Sequence, residues 1–190
     1  MAAPRPFLNR LQFANAVRSS RAYGEDYLSE IDRIIRSHVP PAPINALEWG
    51  MGHTTLFLAE HREHYGLAGL VSIDHDRDYL ERVVAQLPAW SGLLALHGDL
   101  MGPKRSDRDP EPNYATLALT LGRRFDFIYI DGRRRLECAL VATQICTPGG
   151  IVVLHDYRRR RYDLVKVLYD VVEEGSQFRV MRPKPLTAVP

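Results

Sequence analysis

The sequence predicts a single α/β domain: a doubly wound, mostly parallel sheet with helices on both faces. Three observations predict it. Short apolar runs alternate with amphipathic stretches, the rhythm of repeated βαβ units. Most of these runs are nearly continuous in apolar residues, as suits strands covered on both sides. Glycines and acids cluster just after the runs, where an open sheet of this kind takes its ligands. The 190 residues suit one domain with a sizeable core.

The elements follow in order. Tyr27, Ile31, Ile34 and Ile35 share one helical face, and Pro40-Pro41 ends that helix. A strand at Ala46–Trp49 leads into a helix from Thr54 to His64. Leu70–Ile73 is the second strand, and Asp78 to Leu87 forms a helix with Tyr79, Val83 and Leu87 on one face. Leu93–His97 is the third strand. Gly102 to Asn113, rich in proline and charge, reads as a surface loop, and Tyr114 to Leu121 as a short helix. The fourth strand is Phe125–Ile130, followed by a helix from Arg134 to Ile145. Thr147 to Gly150 is a turn before the fifth strand, Ile151–Leu154. Tyr162, Val165, Leu168 or Tyr169, and Val172 mark a last helix, and Phe178–Met181 the last strand. Residues 1–43 read as a helical segment serving as lid or homodimer contact, 44–182 as the ligand-binding domain, and 183–190 as a flexible tail.

Composition narrows the partners. A net charge of +2 names none. With no RNA-binding motif and so small a charge, nucleic acid is not expected. Cys138 and Cys146 make no disulfide framework and lack metal-ligand spacing, so they read as buried thiols in a reducing cytoplasm. The N-terminal stretch has no continuous apolar core of a signal peptide. No apolar run approaches the roughly 20 residues that cross a bilayer. The expectation is a soluble cytoplasmic protein.

The first strand runs into Glu48-Trp49-Gly50-Met51-Gly52-His53-Thr54-Thr55. Glycines here permit a tight bend and close approach of a ligand to the backbone. A dinucleotide loop would want glycine where Thr55 stands. Glu48 would repel a pyrophosphate and hold a ligand bearing an ammonium and a sulfonium. Asp74 ends the second strand, 24 residues beyond Gly50, where an acid accepts from both ribose hydroxyls. His75 stands where it would flank an adenine, and Asp76 reads as a helix N-cap. After the third strand, Asp99 is placed to accept from an adenine amine, with Leu100 beside it.

Asp131 follows the fourth strand, placed as general base on a hydroxyl or as ligand of a divalent cation. Asp156 follows the fifth strand on the same sheet edge, and two such carboxylates make an oxygen site for Mg²⁺. His155 is a candidate base or ligand. Arg133–Arg135 and Arg158–Arg161 follow the two strands that bracket the cleft. The planar fork of arginine suits carboxylate or phosphate, so Arg133 and Arg158, with Tyr157 adjoining, are candidates for holding an acidic substrate.

These pieces, in this order over residues 44–182, resemble the class I S-adenosylmethionine-dependent methyltransferases, with a Rossmann-like fold. The "IDG" at Ile130–Gly132 and the "PGG…HDY" at Pro148–Tyr157 look like the small-molecule O-methyltransferases, and the stretch from Asp131 to Cys138 like a less characterised branch. The resemblance implies cofactor contacts at Glu48, Gly50, Gly52, Asp74 and Asp99, and the adjoining Met51, Thr54, His75 and Leu100, with Asp131, are expected to line the same site. It implies base or metal duty at Asp131 and Asp156. The chain departs from the pattern at Thr54, in place of a glycine, in the three arginines after "IDG", and at Tyr157, where catechol-type members carry Asn. It also offers one C-terminal strand where the class folds an antiparallel pair. The expected activity is methyl transfer to a hydroxyl, less readily an amine, of a small and acidic metabolite. Two alternatives stand beside it: a nicotinamide-dependent oxidoreductase, and a catalytically silent cofactor-binding or regulatory subunit.

Overall fold

The structure, a computed structural model, describes residues 25–41, 43–100 and 113–185. Its strands are β1 (Ile44–Trp49), β2 (Leu67–Asp74), β3 (Leu93–His97), β4 (Phe125–Ile130), β5 (Cys146–His155), β6 (Tyr169–Glu174) and β7 (Phe178–Pro183). They form one sheet in the order β3-β2-β1-β4-β5-β7-β6, with β1 to β5 mutually parallel and β7 antiparallel to both its neighbours. Chain order reverses between β1 and β4, so a crevice opens beyond their carboxyl ends.

The helices are α1 (Glu25–His38), α2 (His53–Glu60), α3 (Arg62–Tyr65), α4 (Arg77–Val84) and α5 (Arg135–Ile145), with 3₁₀ turns at Thr116–Leu121 and Arg160–Val167. Alternation along each strand sends neighbouring residues to opposite faces. Ala46, Phe127, Tyr129, Ile151 and Val153 pack against α1 and α2, whereas Leu47, Ile128, Ile130, Val152 and Leu154 pack against α5 and both 3₁₀ turns. Both clusters are almost wholly buried, which is why the strands are apolar along their length.

Four expectations change in detail. The helix expected from Thr54 to His64 is broken at His61 into α2 and α3, and Gly66 in the left-handed region closes the second piece. The last expected helix is instead a 3₁₀ turn followed by β6. Val171 and Val172 favour extended backbone, and pairing with β7 across Gly175 satisfies it. The antiparallel pair that the sequence lacked is therefore present. Pro148 to Gly150, read as a turn, belongs to β5. The helical part of the 1–43 segment, α1, buries Tyr27, Leu28, Ile31, Ile34 and Ile35 against the sheet, as a layer of the domain itself. Residues 1–24, nearly all of the loop expected from Gly102, and 186–190 of the tail lie outside the described residues. Among the described residues no helix is long and apolar enough to cross a membrane.

Candidate active site

Backbone hydrogen bonds sew the switch point together. Asp131 and Gly132 both donate to the Trp49 carbonyl, at 2.9 and 2.7 Å, and Gly50 donates to the Ile73 carbonyl at 2.9 Å. Gly50 sits at φ +99°, and a Cβ there would lie 2.5 Å from the Gly132 nitrogen. Only glycine allows the β1 and β4 ends to meet so closely.

Two adjoining cavities occupy this crevice. One of about 90 Å³ is lined by Tyr27, Glu48, Gly52, His53 and Thr54. One of about 340 Å³ is lined by Asp74, His75, Asp76, Gly132, Arg133 and Arg135. They share Gly50, Met51, Tyr79 and Asp131, and so make one cleft. The larger has the size of a small-molecule site.

Glu48 is fully buried at the inner end. Its Oε2 accepts from Ser72 Oγ at 2.8 Å and from Thr55 Oγ1. Its Oε1 is buried with no partner. Burial pushes its carboxyl up to about 8, against the lowering effect of the two hydroxyls, and the negative charges of Asp131 and Asp74 push the same way. An orphaned carboxyl oxygen beside a cavity fits a cationic ligand group, because an ammonium would supply both the missing hydrogen bond and the charge.

Asp74 is buried and spans the β1 and β2 loops. Its Oδ2 accepts from Met51 N at 3.0 Å, and its Oδ1 from Asp76 N at 2.9 Å. Each oxygen keeps a further lone pair for the cleft. His75 Nδ1 lies 3.2 Å from Asp74 Oδ1 without hydrogen-bond alignment. Asp76 caps α4 by accepting from Tyr79 N. Asp99 is exposed and lines neither cavity; its carbonyl accepts from Tyr114 N. Leu100 packs partly buried against the α5-side core.

Asp131 stands over the cleft with its two oxygens differently employed. Oδ1 takes Arg135 Nη2 at 2.9 Å and His155 Nδ1 at 2.6 Å. Oδ2 has only long contacts, with Tyr129 Oη at 3.3 Å and Tyr27 Oη at 3.5 Å. The two phenols also bond to each other, and Tyr27 Oη lies 3.0 Å from Thr54 Oγ1. Burial raises both phenol pKa values, and the Asp131 charge adds to it, so both remain protonated donors. Burial alone would lower the His155 pKa, but the bond and charge of Asp131, the Gln177 acceptor and the charge of Asp156 outweigh it and raise it. His155 Nε2 meets Gln177 Oε1 at 3.1 Å, so acceptors face both ring nitrogens, as an imidazolium requires.

Several expected site residues are not brought together here. His155 is buried behind Asp131 with both nitrogens engaged and faces neither cavity, so it has no free nitrogen to serve as base or ligand. Asp156, at φ +53°, is turned toward Arg159, at 3.1 Å, and toward the hairpin, where its N–H donates to the Gln177 carbonyl. Tyr157 is buried, donating to the Gly175 carbonyl at 3.0 Å with Arg179 stacked over its ring. Arg158 lies with Asp156 in a separate depression by the hairpin. Arg133 alone of the three expected substrate contacts reaches the cleft.

The proposed Mg²⁺ pair does not fit. The Arg135 guanidinium stands between the two carboxylates, 2.9 Å from Asp131 Oδ1 and 3.6 Å from Asp156 Oδ2. Among the described residues no group of three or more His, Cys, Asp or Glu is gathered to hold a metal.

Sequence reasoning left out Tyr27, Tyr79, Tyr129, Thr55, Ser72 and Arg135 as named site residues. Ser72 was detectable in principle, since parallel register places it opposite Glu48. Tyr27 carried no local signal beyond an apolar helix face.

Residues 47–157 match the family described as "Methyltransferase domain". A methyltransferase-like protein from Silicibacter pomeroyi is 21% identical with a TM-score of 0.61, over 83% of this chain and 88% of that one. The N-methyltransferase NodS from Bradyrhizobium japonicum is 14% identical with a TM-score of 0.57, over 87% and 98%. A SAM-dependent methyltransferase from Thiobacillus denitrificans, solved with S-adenosyl-L-homocysteine, is 16% identical with a TM-score of 0.53, over 87% and 73%. At such identities these neighbours share the fold. No curated protein sequence matches the chain.

Proposed function

Because the chain belongs to the methyltransferase-domain family, we propose that its cleft binds S-adenosylmethionine and passes the methyl group to a hydroxyl, less readily an amine, of a small acidic metabolite. The observation that carries this reading is the orphaned Glu48 Oε1 at the inner end of the cleft. The bound donor supplies an electrophilic methyl on a sulfonium, which leaves as a neutral thioether.

The chain's residues do the rest. Glu48 takes the amino group of the donor, and the glycine bend at Gly50 and Gly52, with Met51 and Thr54, lets the donor lie against the backbone. The spare lone pairs of Asp74 accept from the ribose, and His75 stands beside it. Asp131 Oδ2 receives the hydroxyl's hydrogen bond and then its proton as the new C–O bond forms. Tyr27 and Tyr129 hold that carboxylate edge in place. Arg133, exposed at the mouth, pairs with the acidic group of the acceptor. No step is assigned to a divalent metal.

Calorimetry on the full chain with S-adenosylhomocysteine and, separately, NADH tests the reading. Binding of the first and not the second is expected. Uptake of NADH alone would overturn it, and binding of the first without turnover on any hydroxyl or amine acceptor would leave a silent cofactor-binding subunit.

A further inference from the structure

The geometry points to Arg135 as a resident cation: its guanidinium fills the oxygen-lined position at the ends of β4 and β5, so that this site excludes divalent metal and Asp131 is held by the chain's own charge. Nε donates to the Gly132 carbonyl at 3.0 Å. Nη2 donates to the Asp131 carbonyl at 2.8 Å and to Asp131 Oδ1 at 2.9 Å. Nη1 donates to the His155 carbonyl and faces Asp156 Oδ2 at 3.6 Å. Three backbone carbonyls and two carboxylates gathered around this one guanidinium are oxygen donors of the kind a hard cation takes. Here the planar fork of a half-buried arginine, with a side chain 10% exposed, donates to the three carbonyls and to Asp131 and lies within ion-pair range of Asp156.

The surroundings agree. Arg135 begins α5, after Arg134 in the left-handed region at φ +47°, and that kink turns the third arginine back under the strand ends. Asp156 also adopts a positive φ, and its Oδ2 is shared by Arg159 at 3.1 Å and Arg135 at 3.6 Å. A dication entering between Asp131 and Asp156 would meet the guanidinium, 2.9 Å from Asp131 Oδ1 and 3.6 Å from Asp156 Oδ2, and like charges at such range repel strongly. Arg135 and His155 together engage Asp131 Oδ1, which turns Oδ2 toward the cleft. Arg135 is thus a positioning residue whose charge takes the place a metal would fill. The inference stands on these contacts and not on the identity of the methyl donor.

The test titrates Mn²⁺ into the full chain and follows free Mn²⁺ by electron paramagnetic resonance, without any adenosyl compound. Wild type is expected to take up no Mn²⁺ in a one-per-chain site. Arg135→Met, shown folded by circular dichroism, is expected to gain such a site, at least about tenfold tighter than any wild-type binding, and to lose it again with Asp156→Asn. Arg135→Lys keeps a charge and should stay metal-free. One Mn²⁺ per wild-type chain, lost on Asp156→Asn, would overturn the inference, as would a folded Arg135→Met that binds no more than wild type. Should Arg135→Met fail to fold, the wild-type titration decides alone.

Discussion

Ser72 and Glu48 are register partners on adjacent parallel strands, and the serine hydroxyl donates to Glu48 Oε2 at 2.8 Å. With Thr55 on the same oxygen, two donors pin one side of a fully buried carboxyl and leave Oε1 unmet. That asymmetry leaves, at the inner end of the cleft, an acceptor that a positive group would satisfy.

Glu48→Gln keeps the shape and one acceptor but removes the charge. Affinity for S-adenosylhomocysteine is expected to fall about 10- to 100-fold, the worth of one charge-assisted hydrogen bond. Calorimetry on wild type and variant checks it, and equal affinities would contradict the assignment.

The pH dependence follows from the Glu48 carboxyl, pushed up to about 8 by burial. Its folded value lies above its unfolded one, so the folded chain holds the extra proton. Its contribution to stability is complete below the unfolded carboxylate range and is lost as pH rises through about 8. The melting temperature of the ligand-free protein should therefore decline between pH 5 and 8, and decline less in Glu48→Gln. Ligand ammonium favours the ionised carboxylate, so binding at pH 7 should release protons, measurable by calorimetry in buffers of different ionisation enthalpy.

Tyr27→Phe removes the hydroxyl that meets Thr54, Tyr129 and Asp131. The loss should cost about 1 kcal/mol of stability by denaturant titration. It should also lower kcat about tenfold while donor affinity changes less than twofold, because the hydroxyl steadies Asp131 rather than Glu48. A change confined to donor affinity would place Tyr27 elsewhere in the reaction.

Gly50→Ala puts a methyl where the Gly132 backbone already stands, 2.5 Å away, at a φ of +99° that side chains rarely adopt. Destabilisation beyond about 2 kcal/mol is expected, by thermal or urea unfolding. Gly122→Ala is the control: its φ is also positive, but nothing lies within 4 Å of the added carbon.

Much of this architecture was legible along the chain. Phe125–Ile130 and Leu93–His97 coincide with β4 and β3, and Asp76 is the N-cap expected of it, because apolar runs and capping are written over a few neighbouring residues. β6 departs from the helix expected there, since Tyr162 to Val172 carries a helical spacing that only pairing with β7 overrides. Around the cleft, Asp74 and Asp131 stand at strand ends and Glu48 just before the glycine bend, as local sequence order predicts. Asp156 and Tyr157 sit at an equally promising strand end, yet a left-handed turn at Asp156 and the β6–β7 hairpin draw them away from the cleft.

Alone, the sequence determined the alternation of strands and helices, the glycine bend and the acids that follow each strand. These depend on local periodicity and turn chemistry, which a short window of residues contains. The tertiary structure decided which side chains share a space. Tyr27 reaches Asp131 across more than a hundred residues, and Arg135 closes over carbonyls from two strand ends. Such meetings are set by sheet order and helix packing, so no stretch of sequence around either residue records them.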